Sequence, residues 1–467
     1  MDQTRSDIAL LYRRAGFGAL PAELDVLATG GYPAAVEGLL AGTGTAPDGP
    51  GDALAVPVFA PYVRSTAGRG TPAALAAARA RNAQLRTELA ALQSWWLDRM
   101  IVTATPLREK LTLLWHGHFA TGVSKVRDAG LMYKQNQLFR TAGAGSFETL
   151  TQAVAKDGAM MLWLDTDTDK AAHPNENFAR ELMELFTLGI GNYTQADVTA
   201  AARSFTGWTF DRVTGQFRLQ ARQHDTGSKT FLGRTGDLGG EDVISIIVGQ
   251  PASARFVAAG LWSHLAYPVT PSDPVVTDLV AAYGSGFDLT AQLRAIFLHP
   301  AFRSPTTRAG LVKQPIEYLV GAARSLGLDS RLQPAGTAGS TPAGIAPATS
   351  AGSAAGAPHA GPTLATLATS LAQTPFDPPN VGGWPQNAYW LNSATALARL
   401  RVATQLARRA DLSAVADAPV AQRPGVVAGL LGIDGWGPTT LGALAQAAPG
   451  PEALVTLALT APEYVLN

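Results

Sequence analysis

Along nearly the whole chain the apolar residues recur every three to four positions, the period of one face of a helix, and a single segment departs from it. Between Trp208 and Leu232 the period shortens. There Phe210, Val213, Phe217 and Leu219 flank Thr214-Gly215, which is a hairpin signal. A chain patterned this way is expected to be mainly α: a large multi-helix domain with one small β-hairpin near residues 208–232. Hydrophobic residues make up 46% of the 467 and charged residues only 15%, so the helices have enough apolar surface for a sizeable core.

Residues 1–332 read as a helical core domain that carries the hairpin. Two short helices are expected over 6–41, broken at Gly16-Phe17-Gly18 and Gly30-Gly31, with Pro21 and Pro33 in first turns. A loop follows to Gly70, then a long Ala-rich helix to Met100. Thr105-Pro106 starts the next helix. Further helices are expected over 128–140, 147–164, 194–205 and, with breaks at Gly249–Pro251 and Tyr267-Pro268, over 240–327. Apart from Gln333, Ile345 and His359, residues 333–362 are Ala, Gly, Pro, Ser and Thr, and none is charged, the composition of a flexible insertion. Residues 363–467 then read as a C-terminal helical part packing on the same core. Its first segment, Pro375–Pro385, mixes prolines and glycines with aromatics, as an ordered loop does.

Two stretches concentrate chemistry. His173-Pro-Asn-Glu-Asn-Phe-Ala-Arg-Glu-Leu-Met-Glu-Leu-Phe-Thr-Leu-Gly189 reads as one amphipathic helix. Phe178, Leu182, Leu185 and Phe186 form its apolar side, and Asn177, Arg180, Glu181 and Glu184 its polar strip. Leu114-Trp-His-Gly-His-Phe119 is the other. If it stays helical, His118 joins Leu107, Leu111 and Leu114 on the core stripe while His116 points away with Glu109. If Gly117 breaks the helix, both imidazoles share one face and form a two-histidine metal clamp. Asp165–Lys170 resembles a calcium loop only superficially, since it lacks the glycine and distal glutamate at the required offsets. His264 and His299 lie at helix ends, where terminal carbonyls are their simplest partners.

Lys plus Arg and Asp plus Glu are both 36, so no basic excess draws the chain to nucleic acid. The absence of cysteine removes disulfides, thiolate zinc sites and a thiol nucleophile. No Gly-rich phosphate loop, Gly-x-Ser-x-Gly elbow or His-Glu-x-x-His helix occurs. No run of apolar residues is long enough to span a membrane. The N-terminal residues lack a signal-peptide pattern, so the chain as written is expected to be cytoplasmic, as a chain trimmed of a leader would also read.

Several blocks resemble a bacterial family known as domain of unknown function 1800. They are Arg14–Gly18, Trp115–Phe119, Asn175–Gly189, Ala202–Trp208, His224-Asp225 with Lys229, and Pro379–Pro385. The resemblance spans nearly the whole chain. It implies no established reaction. It does imply that Asn usually stands where this sequence has Gly117, that members are often exported, and that a sulfatase- or phosphatase-like family is an expected protein partner.

Two functional expectations follow. The first is a metal-dependent or His/Glu acid–base enzyme, a hydrolase or oxidoreductase, with Glu181, Glu184, His173 and Arg180 as catalytic groups. His116 and His118 would hold a divalent Fe, Mn or Zn ion. Asn177, His224, Asp225, Lys229, Trp208 and Trp384 would bind a small molecule or glycan. The second is a non-catalytic helical scaffold or binding protein in which the same His/Glu/Arg groups form a buried network.

Overall fold

Proline fixes where many of the helices begin, because its missing N–H falls on a first-turn position that needs no partner. Pro21, Pro72, Pro106, Pro251, Pro274, Pro315, Pro438 and Pro451 each open one. The computed structural model describes residues 2–63, 70–333 and 362–466. Except for its end residues, the expected insertion over 333–362 lies outside them. Among the described residues the fold is helical apart from two small antiparallel sheets of two strands each. No single helix among them is long and apolar enough to cross a membrane.

The N-terminal segment holds three helices rather than two: Gln3–Arg14, Pro21–Gly30 and Tyr32–Ala41. Likewise the helix expected over 147–164 is split into Phe147–Ala155 and Gly158–Trp163, because Asp157 caps a new N-terminus by accepting from the Ala159 and Met160 amides. One apolar core runs from Ile8 to Val465 and holds Trp96, Trp115, Trp208, Trp262 and Trp390. The helix Leu364–Ser370 packs on Pro72–Val102 and Pro315–Ser325, while Ser393–Ala407 packs along Pro451–Thr460.

Instead of one hairpin there are two. Trp208–Phe210 pairs with Phe217–Leu219 around a loop in which Asp211 accepts from the Val213 and Thr214 amides. Lys229–Phe231 pairs with Arg234–Gly236 across a two-residue turn. Both turn residues, Leu232 (φ 43) and Gly233 (φ 80), are left-handed. A leucine rarely adopts that conformation, so the usual Asn-Gly signature is missing. Its amide donates to Asp197 at 2.8 Å, a tertiary contact that holds it there.

A charged cluster lies inside the core beside the future site. Glu109, fully buried, accepts from Arg99 (2.8 Å), Arg140 (2.6 Å) and the Trp96 indole (3.2 Å). Asp48, also fully buried, accepts from Arg99 (2.9 Å) and from Thr103 and Thr105. The exposed Asp52 and the buried Arg108 complete a set of three acids and three guanidiniums that reaches from the core to the surface. It pins the loop after Ala41 to the helices Pro72–Val102, Pro106–His118 and Ala129–Ala142.

Candidate functional site

The helix Pro106–His118 is the spine of the site. Leu107, Leu111 and Leu114 bury one side of it, and the helix continues through Gly117 to His118. The extended alternative therefore does not form, and the two imidazoles leave the helix in different directions. His116 sits in an aromatic box with Trp96, Phe376 and Trp384 at ring separations of 5.5, 5.3 and 5.2 Å. Its Nε2 accepts the Phe376 amide at 3.2 Å, and burial pushes its pKa down to about 3. Trp384 reaches this box because the loop before it lies directly on the helix. At Gly383 (φ +77) a Cβ would stand 2.1 Å from the Gly117 carbonyl oxygen.

That contact yields a graded test. Gly383→Ala combines a left-handed backbone with a backbone clash and should cost at least about 2 kcal/mol in urea unfolding. Gly382→Ala should cost clearly less, since its Cβ meets only the Asn380 side chain at 3.1 Å. Equal losses would mean that the loop does not rest on Gly117.

His118 faces the other way and is half-buried. Its Nε2–H donates to the Phe186 carbonyl at 2.9 Å, which joins the two motif stretches. The acceptor is available for a local reason. The expected single helix is Glu176–Glu181 followed by a wider π-turn over Leu182–Thr187, in which the Leu188 and Gly189 amides both donate to Met183. The chain then leaves through Gly189 at φ +78, so the last-turn carbonyls have no helical donor. Burial first, with His264 adding to it against the Phe186 carbonyl, brings the His118 pKa down to about 4. The ring is thus neutral, and its Nδ1 has no partner among the described residues.

His118 lines a cleft of about 150 Å³ with Lys110, Leu185, His264, Glu317, Trp384 and Gln386. An adjoining apolar cleft, walled by Phe256, Val257 and Val269, shares His118 and His264. Lys110 pairs with Glu317, whose other oxygen accepts the Gln314 amide at 3.1 Å. His264 donates from Nδ1 to the Gly260 carbonyl (2.8 Å), and its Nε2 accepts from the Gln386 amide (2.6 Å). Burial lowers its pKa as well. Two uncharged imidazoles, one ion pair and a side-chain amide therefore border a space large enough for a small organic ligand.

The remaining sequence-derived candidates lie elsewhere. Glu181 and Glu184 do not line this cleft; the π-turn presents Leu185 instead. Glu184 accepts from the Tyr193 hydroxyl (2.9 Å), and burial together with Glu184 raises the pKa of Glu181. Arg180 binds Glu176 (3.2 Å) and Gln195 (2.8 Å), Asn177 is exposed, and the exposed His173 closes a turn onto the Lys170 carbonyl. Around the hairpins, Asp225 takes Arg203 in a two-pronged bond (2.7 and 3.1 Å) that pulls its pKa to about 2. His224 bonds the Thr206 carbonyl at 2.8 Å, Lys229 pairs with Asp237 at 3.1 Å, and Trp208 is a core residue against Phe205 and Phe217. This group ties hairpin to helix and does not reach His118.

Sequence reading passed over Lys110, Glu317 and Gln386 and placed His264 only at a helix end. Glu317 does carry a signal, a glutamate in the first turn after Gln314-Pro315, but that pattern also marks an ordinary capping box. Among the described residues no three His, Asp or Glu side chains are grouped to hold a metal ion. The model of the family described as "Protein of unknown function (DUF1800)" matches residues 10–466, nearly the whole chain. No curated protein and no solved structure matches it.

Proposed function

We propose, for a chain that belongs to the DUF1800 family of unknown function, that it is an acid–base enzyme acting on a small polar substrate in the cleft beside His118. The observation that carries this reading is the state of that one ring. Its Nε2–H is committed to the Phe186 carbonyl while its Nδ1 lone pair has no partner among the described residues. Such an imidazole can take a proton without first losing one. With a pKa of about 4 it is a weak base, and a substrate carrying negative charge would strengthen it. Lys110 and Glu317 would orient the polar end of the substrate, and Trp384 and Leu185 would cover its apolar part. The acid–base branch is preferred to a His116/His118 metal centre because the His116 Nε2 lone pair is taken by the Phe376 amide on another side of the helix.

Two measurements test the reading. Nitrogen-15 spectra of histidine-labelled protein should show His118 neutral and protonated at Nε2 at pH 6. A panel of nitrophenyl esters, phosphate esters and glycosides should contain a substrate whose turnover drops by about a hundredfold or more in His118→Gln. An imidazolium at pH 6, or a panel that wild type and variant treat alike, would overturn the proposal.

A further inference from the structure

Lys313, just ahead of the helix Pro315–Ser325, is only 6% exposed. Among the described residues its ammonium touches no carboxylate; its one contact is the Tyr464 ring, 3.6 Å from the ring centre. The acid that acts on it, Glu317, is already occupied by Lys110 on one oxygen and the Gln314 amide on the other. The other charges acting on it are Arg13, Lys110 and Arg14, all cations. Burying an ammonium among cations is costly unless a counter-charge joins it. Space for one exists. Lys313 lines a narrow cavity with Arg13, Gly16, Gly18, Glu317 and Tyr464, which shares only Glu317 with the His118 cleft.

We infer that this cavity binds a compact oxyanion of carboxylate size, held by the Lys313 ammonium with Arg13 at its rim. The cavity is too narrow for a nucleotide or a sugar phosphate, while a formate or bicarbonate ion, or the carboxylate end of a slender ligand, fits. Burial and the surrounding cations drive the lysine pKa well down, and a bound anion is the kind of partner that restores its charge. The inference stands apart from the role given to His118.

The test is thermal unfolding of the full chain in formate, bicarbonate, phosphate and chloride at matched ionic strength. Wild type should gain several degrees, saturably, in formate or bicarbonate. Lys313→Met should melt at least as high as wild type without added anion, because an apolar chain replaces a buried amine that has no carboxylate partner among the described residues, and should lose the saturable gain. Equal shifts in both proteins, or a gain in chloride or phosphate as large as in formate, would overturn the assignment. Should Lys313→Met fail to fold, carbon-13 formate titrated into wild type decides: saturable line broadening reversed by bicarbonate supports the site, and its absence refutes it.

Discussion

Glu109→Ala should cost about 3–5 kcal/mol in urea unfolding, the largest loss expected from any single change near the site. Its carboxylate is fully buried between Arg99 and Arg140 and also accepts from Trp96. Burial alone would raise its pKa, but the two guanidiniums outweigh burial and hold it below the usual carboxylate range. Removing the carboxylate strands the buried Arg140 guanidinium and leaves Arg99 with Asp48 and Asp52 alone. The cost then comes from the stranded charge more than from the lost bonds. Glu109→Gln keeps an acceptor for Trp96 and fills the space, so its loss should fall between wild type and alanine. A loss for the alanine variant below about 1 kcal/mol would mean that the cluster behaves as a solvated surface network.

Acidification should erase the advantage that wild type holds over His116→Gln. The imidazole titrates near 6.5 when unfolded and near about 3 when folded, so the folded pKa is depressed. Its contribution is therefore complete above pH 6.5 and is lost as pH falls through the window down to the folded value. Between pH 7.5 and 4.5 wild type should lose about 3 kcal/mol relative to the glutamine variant, whose side chain can still accept the Phe376 amide. The comparison must be a difference between proteins. Burial raises Asp157 to about 6 and Asp169 to about 7, and these carboxyls act with the opposite sign, contributing stability at low pH that is lost as pH rises. A gap between wild type and His116→Gln that stays constant from pH 7.5 to 4.5 would show His116 to be solvated.

Much of the local structure was legible because its causes are local. The capping box at Thr194 and Asp197 begins the helix to Phe205 as expected. The alternation flanking Thr214-Gly215 becomes the first hairpin, and the face occupied by His118 follows from helical spacing alone once Gly117 stays in the helix. The misses have longer-range causes. Leu232 adopts a left-handed turn because Asp197, thirty-five positions earlier, holds its amide. The stretch over 182–187 widens into a π-turn, so the side chain offered to the cleft is Leu185 and not one of the two glutamates a regular helix was expected to place in a polar wall.

Composition and period by themselves determined a mainly helical, cysteine-free chain of balanced charge; whether the histidines of the Trp115–Phe119 block share a face hung on Gly117, which the fold keeps helical. The tertiary fold alone decided which groups meet. Helix periodicity records which residues share a face, but it holds no information about which face of a helix two hundred residues away will be packed against it. The carboxylate lining the cleft with His118 is therefore Glu317, the second imidazole is His264, and the buried ammonium with no carboxylate partner among the described residues is Lys313.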